Sequence, residues 1–380
     1  MHKNYITPSF SFWENNIYFN NIDLIIVGSG IVGLSAAISY IEKNKKAKVV
    51  VLERGVLPQG ASTKNAGFAC FGSVSELLDD LDTNSEDKVW ATVEMRIKGL
   101  EILRKRLGDK QIDYKEFGGY ELFNKQNDFD KCANSIDYFN KKLKSLTGIK
   151  NTYTIENQKI KSFQFKQIKG LILNKKEGQL DTGKMMNNLL KLAISKGVFI
   201  LNNVDVLRIN DISTSVELQT SLGVLYCKKV IVATNGFASQ LLKLNDVKPA
   251  RAQVLITKPI LNLKIKGTFH FDAGYYYFRN IGNRLLLGGG RNLDFEKETT
   301  TKFELNGKIH ARLELMLKKI ILPETKFEVE HRWCGIMGVG SEKSPIVKKI
   351  SDNVVCAVRM GGMGVAIGSL VGKMASKDLE

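Results

Sequence analysis

The sequence feature that most constrains the fold is a strand, a glycine-rich turn and a helix that follow one another within residues 22–43. Residues 24–27 form a short apolar run, which is typical of a buried parallel strand. Gly28, Gly30 and Gly33 follow at G-x-G-x-x-G spacing, and apolar residues then recur at helical intervals. This order predicts a dinucleotide-binding turn, in which the glycines let the backbone approach a pyrophosphate and the helix N-terminus faces that anion.

A carboxylate follows at the distance that this motif requires. The second predicted strand, residues 48–52, ends at Glu53, about 20 residues after Gly33, where a side chain can accept hydrogen bonds from an adenosine ribose. Glu53 therefore favours FAD or NAD over NADP, although Arg54 alone would suit a 2′-phosphate. A lone G-x-G-x-x-G often marks only a flexible turn, but here both strands, the helix and the acidic residue accompany it.

Length and composition indicate a globular protein of more than one domain. A chain of 380 residues exceeds what one hydrophobic core usually supports, so we expect two connected domains. The 56 Lys and Arg against 39 Asp and Glu give a net charge of +17, which would suit nucleic acid, a lipid surface or an acidic substrate. Because no block of five like charges occurs, a solvated basic surface is the simpler interpretation.

The spacing of cysteines and histidines indicates whether a metal site is expected, and the apolar runs indicate where the protein is located. The five cysteines contain no C-x-x-C pair and the four histidines show no i,i+4 spacing, so we expect reduced thiols and no metal site. Residues 1–21 lack the apolar core of a signal peptide, and no run reaches the ~18 apolar residues of a membrane span. These observations predict a cytoplasmic protein. The aromatic residues within 1–21 predict an N-terminal arm that packs onto the body.

Three later segments suit a ligand crevice. Residues 61–73 are rich in small side chains, and Ser62 and Thr63 offer donors for a phosphate or ribityl chain. An apolar strand predicted at residues 230–233 stops at a Thr-Asn-Gly sequence, and the strand predicted at 354–358 leads through glycines to a closing helix. Such junctions line the carboxyl end of a parallel sheet, although a plain connection would look the same. Residues between them are strand-rich and predict an inserted antiparallel sheet.

Several separated segments together carry a family resemblance. They are GSGIVGLSAA with VVVLER, GASTKNAGF, GQLDTGKMMNNLLKLAISKGVFIL, VIVATNGFAS, WCGIMGVGSEKSPIV and VRMGGMGVAIGSLVGKMA. As a set they span residues 22–376, and the chain resembles the D-amino-acid oxidase superfamily of FAD-dependent oxidoreductases, which includes glycine oxidase, sarcosine oxidase and γ-glutamylputrescine oxidase.

The resemblance implies an α/β fold of the glutathione-reductase type. It combines a Rossmann-like FAD-binding domain, built on a parallel sheet, with a substrate domain built on an antiparallel sheet. The predicted segments are an N-terminal arm at 1–21, the FAD-binding domain at 22–110, 174–248 and 336–380, and the substrate domain at 111–173 and 249–335.

The resemblance also implies a set of residues that contact FAD. The glycine turn would hold the pyrophosphate, Glu53 the adenosine ribose, Val206 the adenine through its backbone, and the turn at 361–365 the pyrimidine end of the flavin, where negative charge develops on reduction. The full set is Gly28, Ser29, Gly30, Ile31, Val32, Gly33, Glu53, Arg54, Ser62, Thr63, Ala66, Gly67, Phe68, Val206, Ala233, Thr234, Asn235, Gly236, Gly335, Gly361, Gly362, Met363, Gly364 and Val365.

Departures from the family pattern bear on the substrate. Met337 stands where the amino-acid oxidases carry an Arg that clamps the substrate carboxylate. Gly335 stands where sarcosine-type oxidases carry a Cys that links FAD covalently, so we predict non-covalent FAD. Leu286 stands where those enzymes carry a Lys that promotes the reaction with oxygen, so the electron acceptor, oxygen or another, stays open. Arg359 precedes the last glycine turn and would either modulate the flavin or form an ion pair.

The candidate substrate pocket comes from the inserted sheet. In GYYYFRN, strand alternation places Tyr275, Tyr277 and Arg279 on one face. If that face lines the pocket, Arg279 could replace the missing clamp and the tyrosines could surround a cationic amine. An ordinary strand face is an equally good interpretation of the same pattern.

The function implied is oxidation of the carbon–nitrogen bond of an amine or amino acid, by hydride transfer to flavin N5 and hydrolysis of the imine. Two alternatives stay open. One is a tRNA-modifying oxidoreductase, which the net charge favours and the absence of a localised basic block disfavours. The other is a flavin-binding protein with little turnover. Small-molecule amines or amino acids are the expected partners, and nucleic acid is a less favoured one.

Overall fold

The computed structural model describes residues 9–379, so residues 1–8 of the predicted arm lie outside the described residues. The strands are β1 Ile22–Val27, β2 Val49–Leu52, β3 Phe68–Ala69, β4 Gly119–Phe123, β5 Tyr153–Ile155, β6 Gly170–Asn174, β7 Gly178–Gln179, β8 Phe199–Leu201, β9 Val206–Asp211, β10 Val216–Thr220, β11 Gly223–Val232, β12 Lys248–Thr257, β13 Thr268–Phe271, β14 Tyr276–Ile281, β15 Arg284–Gly289, β16 Val329–Val339, β17 Ile346–Ser351 and β18 Val354–Val358.

Helices cover the sheets and connect them. The α-helices are α1 Phe12–Glu14, α2 Ile31–Lys43, α3 Ala61–Lys64, α4 Val74–Thr83, α5 Glu86–Leu107, α6 Gln126–Thr147, α7 Gln158–Ser162, α8 Thr182–Ser195, α9 Phe295–Glu298, α10 Gly307–Met316 and α11 Gly364–Lys377. The 3₁₀ turns are Asn235–Gln240 and Arg291–Leu293, and the π turns are Asn15–Phe19 and Leu317–Ile321.

The first sheet has the strand order β17-β18-β11-β1-β2-β8, with β9 and β10 continuing from the outer part of β11. Strands β18, β11, β1, β2 and β8 are parallel, and β17 is antiparallel at the edge. The central strands are buried along their length because α2, α11 and α8 cover one face and the β9–β10 hairpin covers the other. Continuous apolar runs are what a parallel sheet buried on both faces requires.

The second sheet has the order β16-β12-β15-β14-β13-β4-β6-β5. Every pairing is antiparallel except β13 with β4, which is parallel. The predicted antiparallel sheet is therefore present, with one parallel pair of strands within it. Its outer face packs on α10 and the aromatic residues of the α7 region, and its inner face is turned toward the first sheet.

Sheet membership bears on the predicted domain boundaries. The boundary at 335/336 falls inside β16, and those at 173/174 and 248/249 fall at the ends of β6 and β12. All three strands belong to the second sheet along their length. We propose that these whole strands, rather than parts of them, be assigned to the substrate domain, because cutting a strand would separate residues that one ladder holds together.

The described part of the N-terminal arm lies on the edge of the first sheet. The Lys48 ammonium donates to the carbonyl of Asn20 at 2.6 Å, and the Tyr18 ring packs edge to face on Phe199 at 5.2 Å. Phe12 is 72% exposed, so the arm packs only through its later residues. No helix within residues 9–379 is both long and apolar enough to cross a membrane.

Candidate functional site

One large cavity lies between the two sheets, with a volume of about 700 Å³. Its walls come from the turns after β1, β2 and β11, the loop that contains α3, and the turn before α11, together with residues of β12, β13 and β16. The carboxyl ends of the parallel strands therefore meet the inner face of the second sheet at this cavity. A volume of this size is within the range of cofactor and ligand sites.

The glycine turn has the close packing that its spacing predicts. Gly28 has φ +105°, a region that L-residues with a side chain rarely adopt. A Cβ on Gly33 would lie 1.9 Å from the carbonyl oxygen of Gly28, so α2 can approach β1 this closely only with glycine there. Gly30 caps α2, and the Ile31 N–H donates to the Ser62 hydroxyl at 3.0 Å. The first turn of α2 thus opens onto the cavity.

Glu53 is fixed at the end of β2 beside this turn. It is 8% exposed, and its Oε2 accepts from the backbone N–H and the hydroxyl of Ser29 at 3.1 and 2.7 Å. Its Oε1 accepts from the Gly55 N–H at 2.9 Å. These bonds hold the carboxylate in one orientation at the cavity wall, where a ribose hydroxyl could donate to it.

The junctions after β11 and β18 are joined by one side chain. Asn235 has φ +47°, and its Oδ1 accepts from the backbone N–H groups of Arg359 and Met360 at 3.1 and 3.2 Å. The neighbouring Thr234 hydroxyl is buried in the cavity wall without a hydrogen-bond partner among residues 9–379. An unpaired hydroxyl buried in the wall of a cavity is suited to a ligand that supplies the missing partner.

Most residues implied to contact FAD line the cavity. They are Gly28, Gly30, Ile31, Val32, Glu53, Arg54, Ser62, Ala66, Phe68, Val206, Ala233, Thr234, Asn235, Gly335, Gly361, Gly362, Met363, Gly364 and Val365.

The remaining five are not among the lining residues, so their contact with the cofactor stays a prediction. The Thr63 hydroxyl donates to the Pro58 carbonyl at 2.7 Å, and a Cβ on Gly67 would lie 2.3 Å from the Leu180 carbonyl oxygen. The five are Ser29, Gly33, Thr63, Gly67 and Gly236.

Arg279 does not line the cavity, and its predicted role as a carboxylate clamp is corrected. It is 5% exposed, and its guanidinium donates to the backbone carbonyls of Ala66 and Leu180, the latter at 2.9 Å. Burial lowers the pKa of Arg279 to about 10. The side chain thus holds the loop that carries Ala66 and Phe68 against the second sheet. Tyr275 and Tyr277 do line the cavity, as their alternation predicts.

The residues that differ from the family pattern lie in or behind the cavity wall. Met337 and Gly335 line the cavity, whereas Leu286 is 2% exposed and packs behind it with Ala66. Cys334, next to Gly335 on β16, is not among the lining residues, because neighbouring side chains of a strand point to opposite faces.

Arg359 forms an ion pair, the second of its two interpretations. Its guanidinium is paired with Asp246 and Glu342, donates from Nε to the Ser344 carbonyl at 2.9 Å, and does not line the cavity.

A group of ionisable side chains lies where the cavity meets the second sheet, and the sequence did not predict it. We name it the acidic cluster, and its members are Cys70, Glu76, Glu121, Glu177 and His270. Of these, Cys70, Glu76 and His270 line the cavity. The ligand-type atoms of Cys70, Glu177 and His270 all lie within 4.8 Å of one another. The residues are far apart in the chain and show no motif spacing, so no local signal could have grouped them.

Hydrogen bonds order the carboxylates of the acidic cluster. Glu177 is 1% exposed, and its Oε1 accepts from the Phe71 and Gly72 N–H groups at 3.1 and 3.2 Å. The Ser73 hydroxyl lies 3.1 Å from Oε2 of Glu76 and 3.0 Å from Oε1 of Glu121. The negative charges are therefore held next to one another by donors from a single loop.

The same crowding shifts two pKa values. Burial opposes protonation of His270, but the close contact and charge of Glu177, with the charges of Glu76 and Glu121, outweigh it and raise the pKa of the imidazole to about 9. The His270 Nε2 lies 3.5 Å from Glu177 Oε2, which is an ion-pair distance rather than a good hydrogen bond. Burial raises the pKa of Glu121 to about 7 against hydrogen bonds from Ser75 that lower it. The raised pKa favours the imidazolium form of His270 at neutral pH.

Comparison with known proteins places this geometry among flavoproteins. A protein-family model described as "DAO: FAD dependent oxidoreductase" matches residues 23–377. The probable oxidoreductase OrdL of Haemophilus influenzae (strain ATCC 51907 / DSM 11121 / KW20 / Rd) is 23% identical over 373 residues, which cover 94% of this chain and 82% of the relative. Glycine oxidase of Geobacillus kaustophilus (strain HTA426) is 24% identical over 274 residues, covering 70% of this chain and 69% of that protein.

Solved structures resemble the whole chain. The crystal structure of glycine oxidase from Geobacillus kaustophilus has a TM-score of 0.75 at 18% identity, covering 94% of each chain. That of L-proline dehydrogenase from P. horikoshii has a TM-score of 0.74 at 16% identity, covering 94% of this chain and 92% of that one. At these identities the likeness establishes the fold, and it confirms the expected two-domain α/β architecture.

Proposed function

The chain belongs to the DAO family of FAD-dependent oxidoreductases, and we propose that it oxidises the carbon–nitrogen bond of a small amine or amino acid. The observation that carries the proposal is one continuous cavity with two chemically different ends. One end is made of the glycine turns and Glu53, which suit FAD. The other end is made of aromatic and ionisable side chains of the second sheet, which suit a small polar substrate.

The residues present fit FAD. The first turn of α2 and Gly30 would face the pyrophosphate, Glu53 the ribose, and the Thr234 hydroxyl would gain the partner that it lacks among residues 9–379. Residues 361–365 form the turn into α11 and its first two residues, and the N-terminal N–H groups of that helix would stabilise negative charge at the pyrimidine end. When bound, FAD supplies the acceptor for the hydride that leaves the carbon next to the amine nitrogen.

The protein's own side chains would position the substrate and exclude water. Phe68 packs edge to face on both His270 and Tyr277, with ring centroids 5.3 and 5.7 Å apart, and this aromatic wall fixes one side of the substrate end. Glu76 presents a carboxylate to the cavity, where it can accept a hydrogen bond from an amine. A carboxylate in this place also provides an acceptor for the proton that the amine loses on oxidation.

We expect the purified protein to release its flavin when it is precipitated with acid. The residue at the position of the linking cysteine is Gly335, which has no side chain, and Cys334 is not among the lining residues. The measurement is the flavin absorbance of the supernatant after centrifugation, with denatured but soluble protein as the reference for total flavin. Flavin that remains in the washed pellet would contradict non-covalent binding.

The function is tested by anaerobic mixing of the FAD-loaded protein with primary amines, secondary amines and amino acids. We expect at least one to bleach the flavin and to yield one equivalent of aldehyde or keto acid per flavin reduced. Free FAD with the same compounds is the control. If none bleaches the flavin while dithionite does, a flavin-binding protein with little turnover is favoured; bleaching only with tRNA would favour the tRNA-modifying alternative.

A further inference from the structure

Resting on the proposed function, we propose that Arg291 and Glu76 form the substrate-binding pair of the cavity, with Arg291 binding a carboxylate and Glu76 the amine beside it. The substrate would then be a small zwitterion, with its carboxylate and amine close together, rather than an amine without an acidic group. Arg291 would determine this specificity from a position other than that of Met337 or Arg279.

Arg291 is a cavity residue whose guanidinium is available. It is separated from β15 by Gly290, lines the cavity and is partly buried. Its guanidinium lies 4.8 Å from the centroid of the Phe295 ring, but it forms no hydrogen bond or ion pair with any residue in the described range 9–379. A partly buried guanidinium with unused donors is suited to a carboxylate, which it can bind through two parallel hydrogen bonds.

Other arginines of the second sheet are already engaged. Arg251 is paired with the buried Glu298, which also accepts from Gln253 at 2.9 Å. Arg279 donates to backbone carbonyls behind the wall. Arg291, which begins the 3₁₀ turn after β15, therefore differs from them: it lines the cavity, and its guanidinium forms no hydrogen bond or ion pair with a described residue.

Glu76 supplies the opposite charge. Its Oε2 accepts from the backbone N–H and the hydroxyl of Ser73 at 3.2 and 3.1 Å, as the N3 residue of a capping box on α4. Its Oε1 accepts no hydrogen bond from the residues that the structure describes. One oxygen thus anchors the side chain to the protein, and the other is left for a donor in the cavity.

The turn at residues 274–275 connects the surroundings of Glu76 with those of Arg291. A Cβ on Gly274 would be 2.7 Å from Glu76 Oε1, which places the carboxylate against this turn. The next carbonyl along, that of Tyr275, accepts from the N–H of Gly290 at 2.9 Å, and Arg291 follows Gly290. Glu76 and Arg291 are thus both adjacent to the turn at residues 274–275, and both line the cavity.

Besides His270, whose charge is paired with Glu177, two other cations line the cavity, but elsewhere. Arg54 stacks on Phe237 at 4.5 Å beside the ribose end. Lys64 belongs to the loop implied to follow the flavin, and its Cβ lies 3.0 Å from where a Cβ on Gly335 would be. Lys64 is the competing candidate for carboxylate binding, so it belongs in the test.

The binding test uses FAD-loaded protein and needs no turnover. Benzoate and its neutral isostere benzamide are titrated while the flavin absorbance is recorded. We expect benzoate to bind more tightly than benzamide, and Arg291→Met to weaken benzoate binding roughly 10- to 100-fold without changing benzamide binding, because charged hydrogen bonds are lost. Lys64→Met and the exposed Arg312→Met serve as matched charge removals, and equal thermal unfolding curves check folding.

The second arm compares amino acids with the amines that lack their carboxylate, such as alanine with ethylamine, by the rate of anaerobic flavin reduction. We expect alanine to be faster with the parent, Arg291→Met to remove this preference, Arg291→Lys to restore part of it, and Glu76→Gln to slow both compounds. Loss of benzoate binding in Lys64→Met rather than Arg291→Met, or faster reduction by ethylamine with no effect of Arg291→Met, would overturn the assignment.

The two arms separate this inference from the function it rests on. If no amine or amino acid reduces the flavin but benzoate binding depends on Arg291, the proposed reaction is wrong and the anion site stands. If amines reduce the flavin and Arg291→Met changes neither benzoate binding nor the alanine preference, the reaction stands and the assignment of Arg291 is wrong.

Discussion

Replacing Gly33 by valine is expected to abolish FAD retention and to lower the free energy of unfolding by about 3 kcal/mol or more, the upper range for overpacking. A Cβ at this position would lie 1.9 Å from the Gly28 carbonyl oxygen and 3.2 Å from the Ile26 side chain. Because the collision is with backbone, it can be relieved only by moving α2 away from β1, which displaces the helix N-terminus from the pyrophosphate site. Chemical denaturation of the apoprotein and an FAD titration measure the two effects.

The matched control is Gly307→Ala. Gly307 is the first residue of α10 and lies outside the cavity, and a Cβ added to it would meet no described atom within 4 Å. The added methyl should therefore leave FAD binding unchanged. Retention of FAD by Gly33→Val within roughly tenfold of the parent would contradict the packing argument for this turn.

Replacing Glu177 by alanine is expected to lower the free energy of unfolding by about 3–5 kcal/mol, since removing one partner leaves a buried charge uncompensated. Glu177 is 1% exposed, faces the His270 imidazolium, and accepts from the Phe71 and Gly72 N–H groups. Glu177→Gln keeps an acceptor for those N–H groups and should cost less. Urea denaturation at pH 7 measures both, and an effect of alanine below about 1 kcal/mol would contradict the buried pair.

The same pair predicts a pH dependence. The pKa of His270 is raised from 6.5 to about 9 in the folded protein, so its stabilising contribution is fully present below pH 6.5 and is lost as pH rises through about 9. A pKa shift of this size corresponds to a contribution of about 3 kcal/mol to the free energy of unfolding. The groups that act on His270 are Glu177, Glu76 and Glu121. The pKa of Glu121 is also raised, so its stabilising contribution is likewise lost as pH rises, between pH 4.5 and about 7. Most of this range lies below the pH range in which the contribution of His270 is lost.

His270→Asn isolates the histidine. The unfolding free energy of this variant should fall less than that of the parent between pH 6.5 and about 9. Glu177→Gln should also reduce the pH dependence of the unfolding free energy in this range, because the charge that raises the pKa of His270 is gone. Parallel curves for the parent and His270→Asn would show that the imidazole does not gain protons on folding.

The cofactor half of the site is local in the sequence, which is why the sequence predicts it. A buried parallel strand needs a continuous apolar run, a turn that approaches a pyrophosphate needs Gly28 and Gly30, and close packing of helix on strand needs Gly33. Each requirement acts within a few residues, so the residue types report it directly. Glu53 could be assigned for the same reason, since its place at the end of β2 follows from the length of one strand–helix–strand unit.

The substrate half depends on the tertiary structure. Alternation correctly placed Tyr275 and Tyr277 on one face of β14 and the turn before it, and it placed Arg279 there too. It could not tell that the loop before β3 covers that face at Arg279, because this depends on a contact with Ala66, 213 residues away in the chain. Strand periodicity determines which face a side chain takes, but not what covers the face.

The ionisable groups of the substrate end were hidden for a related reason. Glu76, Glu177 and His270 belong to a helix, a loop and a strand, and each alone looks like an ordinary polar residue of its element. Only the docking of the second sheet on the first brings them within interaction distance, and only there does burial strengthen their mutual charge effects. The sequence by itself determined the dinucleotide fold and the cofactor turns; the packing of distant segments decided which charges meet at the other end of the cavity, because electrostatic coupling depends on distance in space and not along the chain.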